Sequence, residues 1–329
     1  MLRYIVRRLL LFIPTLVAIS IVTFLLIQLP PGDYLTTYIT KLIESGETVD
    51  ETLVYALRKR YGLDQPVYMQ YLKWIGNIIL RGDFGRSMQW NRPVSELIWE
   101  RMLWTVVISF STLIFTWIIA FPIGIYSATH QYSILDYLFT FFGFVGRGLP
   151  GFMIALVLLW VGYSAFGADM GGLFSPEFQR APWSMAKLWN LIQHLWVPLV
   201  VLGMGGTAGL IRTMRANLLD ELHKPYVTTA RAKGLTDRRL VWKYPVRVAL
   251  NPFISSIAYV FPGLISGGAI VSVVLSLPTV GPLLLRALVV EDMFLAGSFF
   301  LLLSTLTVVG TLISDILLAW VDPRIRMAG

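Results

Sequence analysis

The sequence predicts an all-α polytopic membrane protein with six transmembrane helices and an extracytoplasmic helical cap. Three observations carry that prediction. Of the 329 residues 56% are hydrophobic and the mean hydropathy is +0.68, too apolar for a single water-soluble core. Uncharged runs of about 20 residues recur, each long enough to cross a bilayer. The basic residues gather at the ends of these runs and in one interval, so the net charge of +8 reads as membrane topology and not as a nucleic-acid surface.

The first span follows Arg3, Arg7 and Arg8 and occupies 9–29. A signal peptide is the competing reading, but the apolar run is too long and Gln28-Leu-Pro-Pro-Gly32 offers no small-residue cleavage site. The helix is therefore expected to stay, with its N-terminus in the cytoplasm. From 31 to 101 nine Lys/Arg balance nine Asp/Glu, which places this interval outside. Helical spacing over 50–61 and 66–80, separated by the turn signal at Gly62, makes it a small helical cap.

The second span covers 102–129, and a short turn through His130 and Ser133 leads to Asp136 and a third segment over 137–167. Gly146, Gly148 and Pro150-Gly151 interrupt that segment, and Arg147 is its one charge. A lipid-facing arginine at that depth costs about 2.5–3.5 kcal/mol, so Arg147 is expected to face a solvated path. The alternative is a buried ion pair with Asp136 or Asp315. Residues 168–193, rich in Gly, Pro and Trp, read as a second external excursion with Trp183, Trp189 and Trp196 at the interface. A short fourth span over 195–211 carries Gly203, Gly205, Gly206 and Gly209, which suit close packing of a neighbouring helix.

The next interval is strongly basic. Nine Lys/Arg stand in 212–250 against Asp220, Glu221 and Asp237, which makes it cytoplasmic. Its centre favours a short helix that starts at Pro225, where no backbone donor is needed, and ends in a left-handed cap at Gly234. Thr228, Thr229, Ala230 and Ala232 are small enough for another protein to approach the backbone, with Tyr226 and Arg231 as long handles. A solvated basic loop facing anionic lipid is the competing reading. This loop, the N-terminal arginines and Arg324 and Arg326 all belong on one side, which requires an even number of spans. The stretch 248–285 is too long for one helix, so a fifth span to about Val274 is followed by a break at Pro278, Gly281 and Pro282. The sixth span covers 293–320.

Ala230-Arg-Ala-Lys-Gly-Leu235 in a loop of this size, followed by Pro245, Arg247, Ala249 and Pro252, resembles the EAA loop of ABC-importer permeases. The form beginning at Tyr226-Val is similar to the first permease subunit of the dipeptide/oligopeptide class. Further blocks occur in that family's order: Arg60-Tyr-Gly-Leu-Asp-Gln-Pro66, Gln70-Tyr71-Leu72, Gly82-Asp-Phe-Gly-Arg-Ser87, Arg92-Pro-Val-Ser-Glu-Leu-Ile98 with Arg101, and the ending Asp322-Pro-Arg-Ile-Arg326. The resemblance covers nearly the whole chain. It implies the type I ABC importer permease (MetI-like) fold, with 1–101 as the first helix and cap and 102–329 as a core of five spans carrying the loop at 212–250.

By the same resemblance, Tyr226, Thr229, Ala230, Arg231, Ala232, Lys233, Gly234 and Leu235 form a coupling helix that sits in a cleft of a separate ATPase subunit. It further implies two ATPase subunits, a second permease subunit forming a heterodimer with this one, an extracytoplasmic solute-binding protein touching the cap, and a place in the bacterial inner membrane among its lipids. An ordered lid without a partner is the other reading of the cap. The implied cargo is oligopeptide or a similar solute. Three departures leave oligosaccharides as a rival: Ser272 where the family commonly has Glu, Pro278-Thr-Val-Gly281 in place of Pro-Gly-x-Gly, and Arg147 where a small or apolar residue is usual. Arg147 and Ser272 are the expected residues of the translocation pathway.

Enzyme chemistry is not expected. The chain has no cysteine, His130, His194 and His223 lack ligand spacing, and no pair of carboxylates or nucleophile with base stands in a plausible site. No glycine-rich loop ends in Gly-Lys-Ser/Thr, so ATP hydrolysis is expected elsewhere, and neither cofactor, metal nor nucleic acid is expected. A secondary transporter is the alternative from another class, but it would normally show acidic or His relays within its spans.

Overall fold

In the computed structural model the protein is described at residues 2–28, 64–87, 89–167, 170–259 and 268–321, with a few isolated positions between 39 and 59 and at Gly263. Helices Leu2–Gln28, Val94–Thr129, Met185–Leu222 and Met293–Val321 are long and apolar enough to cross a membrane. They correspond to the expected first, second, fourth and sixth spans. The chain packs as two compact units: Leu10–Trp104 with Thr279–Leu306, and Met1–Leu9 with Thr105–Pro278 and Thr307–Gly329.

In the first of these units, helix Val67–Arg81 places Tyr71, Trp74, Ile75 and Ile78 on one stripe, the spacing of an amphipathic helix. The stripe packs on Phe24 of the first helix and Leu301 of the last, and the Tyr71 and Ser20 hydroxyls meet at 2.8 Å. Gly82 ends the helix at φ 62, and Arg86–Ser87 then pairs antiparallel with Arg92–Pro93 in a two-residue ribbon that the all-helical expectation did not contain. Ser87 is fully buried and donates to Asp292 at 2.5 Å, while Asp292 accepts from Leu295 N–H at 3.3 Å and so caps the last helix. The Gly82-to-Ser87 block is thus a structural corner. Beside it, hydrogen bonds from Arg92 to Glu100 and Glu96 hold that guanidinium more firmly protonated than free arginine. The expected cap helix over 50–61 lies outside the described residues, as does the ending from Asp322 to Arg326.

In the other unit the third segment differs from expectation. It is two helices, Ile134–Gly148 and Gly151–Phe166, bent by 102° at Leu149 and Pro150. Proline disfavours helical backbone in the residue before it, and Leu149 is extended (φ −93, ψ 133). Each helix is about 23 Å long, shorter than a bilayer core of about 30 Å.

The fourth span also differs. The helix starts at Met185 and runs unbroken to Leu222, about 57 Å. Residues assigned to the external excursion at one end and to the basic loop at the other therefore belong to one rod. Of its four glycines only Gly203 is closely packed, where an added Cβ would lie 3.1 Å from Thr116 Oγ1; beside Gly205 nothing comes within 4 Å. Tighter approaches to this helix come from Gly124, where a Cβ would meet Met214 at 2.6 Å, and Gly146, where it would meet Met204 at 2.4 Å. Where one fifth span was expected, Pro245–Ala249, Asn251–Ser256 and the 3₁₀ turn Ile257–Tyr259 follow in succession, with Gly268–Val274 beyond. Helix Val280–Val289 begins within the expected break, after Pro278 and with Gly281 and Pro282 in its first turn.

Candidate functional site

Two places in the larger unit bring the expected residues together. The first is helix Pro225–Ala232, which begins with Pro225 in its first turn. Its end is a Schellman motif: Leu235 N–H bonds Ala230 O at 3.3 Å, Gly234 N–H bonds Arg231 O at 3.0 Å, and Gly234 takes φ 81. Leu235 packs on Val227, Ala230 and Leu240, the apolar contact that accompanies such caps.

The expected surface residues divide into two sets. Tyr226, Thr229, Arg231, Ala232, Lys233 and Gly234 are exposed, whereas Ala230 is buried and Leu235 half-buried. Ala230 therefore seats the helix on Asp237–Lys243. The two long handles are tied back. The Tyr226 hydroxyl bonds Glu221, and Arg231 Nε bonds Asp237 at 3.0 Å. A groove of about 730 Å³ opens here, with Thr229, Lys233, Lys243, Tyr244 and Arg247 on its walls.

Beneath the loop, Pro245–Ala249 buries Val246 and Ala249 against Met214 and Leu218 of the long helix, with Phe253 and with Ala120 and Ile125 of helix Val94–Thr129. Five of these side chains are at most 1% exposed. Close-packed interiors transmit displacement with little compression, so a push on the loop reaches two membrane helices.

The second place is a cavity of about 470 Å³, within the range of small-molecule sites. Ser109, Thr112 and Thr116 line it from one face of helix Val94–Thr129 at helical spacing, and Gly205 and Gly206 leave room on the long helix. Arg147 enters from the last turn before the bend, its guanidinium near Gly209. Ser256 and Tyr259 close another wall. Ser272, in contrast, is 2% exposed, and its neighbour Val271 forms the wall instead.

The two ion-pair partners considered for Arg147 are taken. Asp136 receives both Nε and Nη2 of Arg215 at 3.1 and 3.0 Å, and Asp315 pairs with Arg8 at 3.0 Å. Sequence reasoning missed Arg215, since helical spacing alone does not say which residue meets Asp136 across two helices. It also missed Lys187, buried with Nζ 2.6 Å from Ala181 O and 5.0 Å from the Phe174 ring. Among the described residues no group of His, Asp and Glu is arranged to hold a metal ion.

The family model for the binding-protein-dependent transport system inner membrane component matches residues 120–327, and the model for the N-terminal part of such membrane components matches 1–111. The chain belongs to this family. The permease is 36% identical over 98% of its length to the oligopeptide transport system permease protein AppB of Bacillus subtilis, covering 99% of that protein. It is 31% identical to the dipeptide transport system permease protein DppB of Alkalihalophilus pseudofirmus, over 99% of this chain and all of that one. The glutathione transport system permease protein GsiC of Escherichia coli K12 is 31% identical, with 99% of both chains covered.

Proposed function

We propose that this chain is the permease subunit of an ATP-driven importer that moves oligopeptides, delivered by an extracytoplasmic binding protein, across the bacterial inner membrane. The end-to-end similarity to permeases named for oligopeptides, dipeptides and glutathione carries the reading, and it favours peptides over sugars. ATP is hydrolysed by two separate ATPase subunits, and a second, different permease completes the path. The exposed face of Pro225–Ala232 is the coupling surface, and the cluster around Met214 and Leu218 carries its motion into the membrane helices. Arg147 lines the pathway. Both termini and the 212–250 loop are cytoplasmic, and the cap faces outward.

The test is the complete complex in proteoliposomes, with binding protein and labelled peptides outside and ATP inside. Vanadate-sensitive uptake is expected; uptake driven by an ion gradient without ATP would overturn the reading. Orientation is tested in the same cysteine-free chain. Glu177→Cys should react with an impermeant thiol reagent from outside and Thr236→Cys should not, and the reverse pattern would invert the topology.

A further inference from the structure

We propose that the cavity around Arg147 is a carboxylate-binding subsite, which makes peptides with a free carboxylate its cargo; this rests on the import reading above. Arg147 is the one charged residue among the described residues that line the cavity. Among the described residues no hydrogen bond or ion pair engages its guanidinium, and Asp136 and Asp315 are held by Arg215 and Arg8. On helix Val94–Thr129, which also lines the cavity, Thr112 Oγ1 is shielded from solvent and has no hydrogen-bond partner among the described residues.

An arginine at membrane depth and a buried hydroxyl without a partner are both costly arrangements. A carboxylate satisfies both: the planar guanidinium holds it through two parallel N–H bonds, and the hydroxyl donates a third. The N-terminal end of helix Gly151–Phe166 begins at the cavity wall and adds positive partial charge, as half-helices do at anionic solute groups in broken-helix transporters. A neutral sugar would satisfy the hydroxyl and leave the arginine uncompensated.

The carboxylate can come from the C-terminus or from an acidic side chain, and the experiment separates them. The reconstituted complex, with saturating binding protein, is given trialanine as free acid, trialanine amide, and the amide of Ala-Glu-Ala. Arg147→Met is expected to lower uptake of a carboxylate peptide relative to trialanine amide by about tenfold or more, the worth of one charge-assisted pair. Arg147→Lys is expected to keep most of the preference. Comparing ratios between variants removes discrimination by the binding protein. Dependence on Arg147 for the free acid alone assigns the C-terminus; the same dependence for the Ala-Glu-Ala amide assigns the side chain.

An unchanged ratio in Arg147→Met, or in Arg147→Gln should the Met variant not assemble, overturns the subsite while leaving the importer intact. Equal uptake of trialanine acid, trialanine amide and the amide of Ala-Glu-Ala by the wild type also overturns it. ATP-driven uptake of no peptide by the wild type overturns the import reading, and the subsite falls with it.

Discussion

Helix Pro225–Ala232 is closed by bonds within its own stretch of chain, whereas the bend at Leu149 and Pro150 depends on residues far away in sequence. Pro225 starts the helix and Gly234 stops it, and Leu235 folds back on Ala230. Across the bend, Asp136 at the start of helix Ile134–Gly148 is anchored to Arg215, and Gly146 lies so close to the long helix that a Cβ would meet Met204 at 2.4 Å. The difference teaches where stability and where function should respond to mutation. The local element is exposed, so its failure should appear in transport; the distant pairing is buried, so its failure should appear in folding.

The largest effect is therefore expected from Arg215→Met. It strips two donors from a carboxylate that is 4% exposed, to which the Tyr132 N–H still donates at 3.0 Å. Breaking a buried pair on one side costs about 3–5 kcal/mol, enough to lose most of the folded permease. Adding Asp136→Asn should recover much of it, because no unpaired charge then remains. Thermal unfolding in detergent reads both, and a wild-type midpoint for Arg215→Met would show that the bend is held by something else.

Gly234→Val comes next. The left-handed φ of 81 costs an L residue about 1–2 kcal/mol, although nothing lies within 4 Å of the position to clash. The expectation is a chain that still inserts and assembles but loses ATP-driven uptake, because the end of the coupling helix shifts. Wild-type uptake and wild-type stimulated ATPase in this variant would remove the helix from coupling. The smallest effect belongs to Arg231→Ala. Its bond to Asp237 joins side chains 59% and 76% exposed, and such pairs are worth about 0–1 kcal/mol. A thermal shift beyond that range would mean that the loop is held by its charges and not by Val227, Ala230 and Leu240.

Fold class, the four long spans and helix Pro225–Ala232 with its left-handed end were legible in the sequence because each rests on short-range rules. An apolar run of bilayer length, a proline in the first turn and a glycine at a left-handed cap act within a few residues of chain. The break near Arg147 was legible as well, from Pro150 and its flanking glycines. Its consequence was not: a 102° bend between two short helices depends on what the long helix offers to pack against. Only the tertiary structure decided that Asp136 meets Arg215, that Ser87 meets Asp292, and that Ala230 faces inward. It also decided that Gly205 and Gly206 border an opening and do not pack a neighbour, and that Val271 rather than Ser272 reaches it. The physical reason is the same in each case. Buried partners are chosen by close packing across helices, and residue periodicity gives the face a side chain occupies without saying which helix will lie against it.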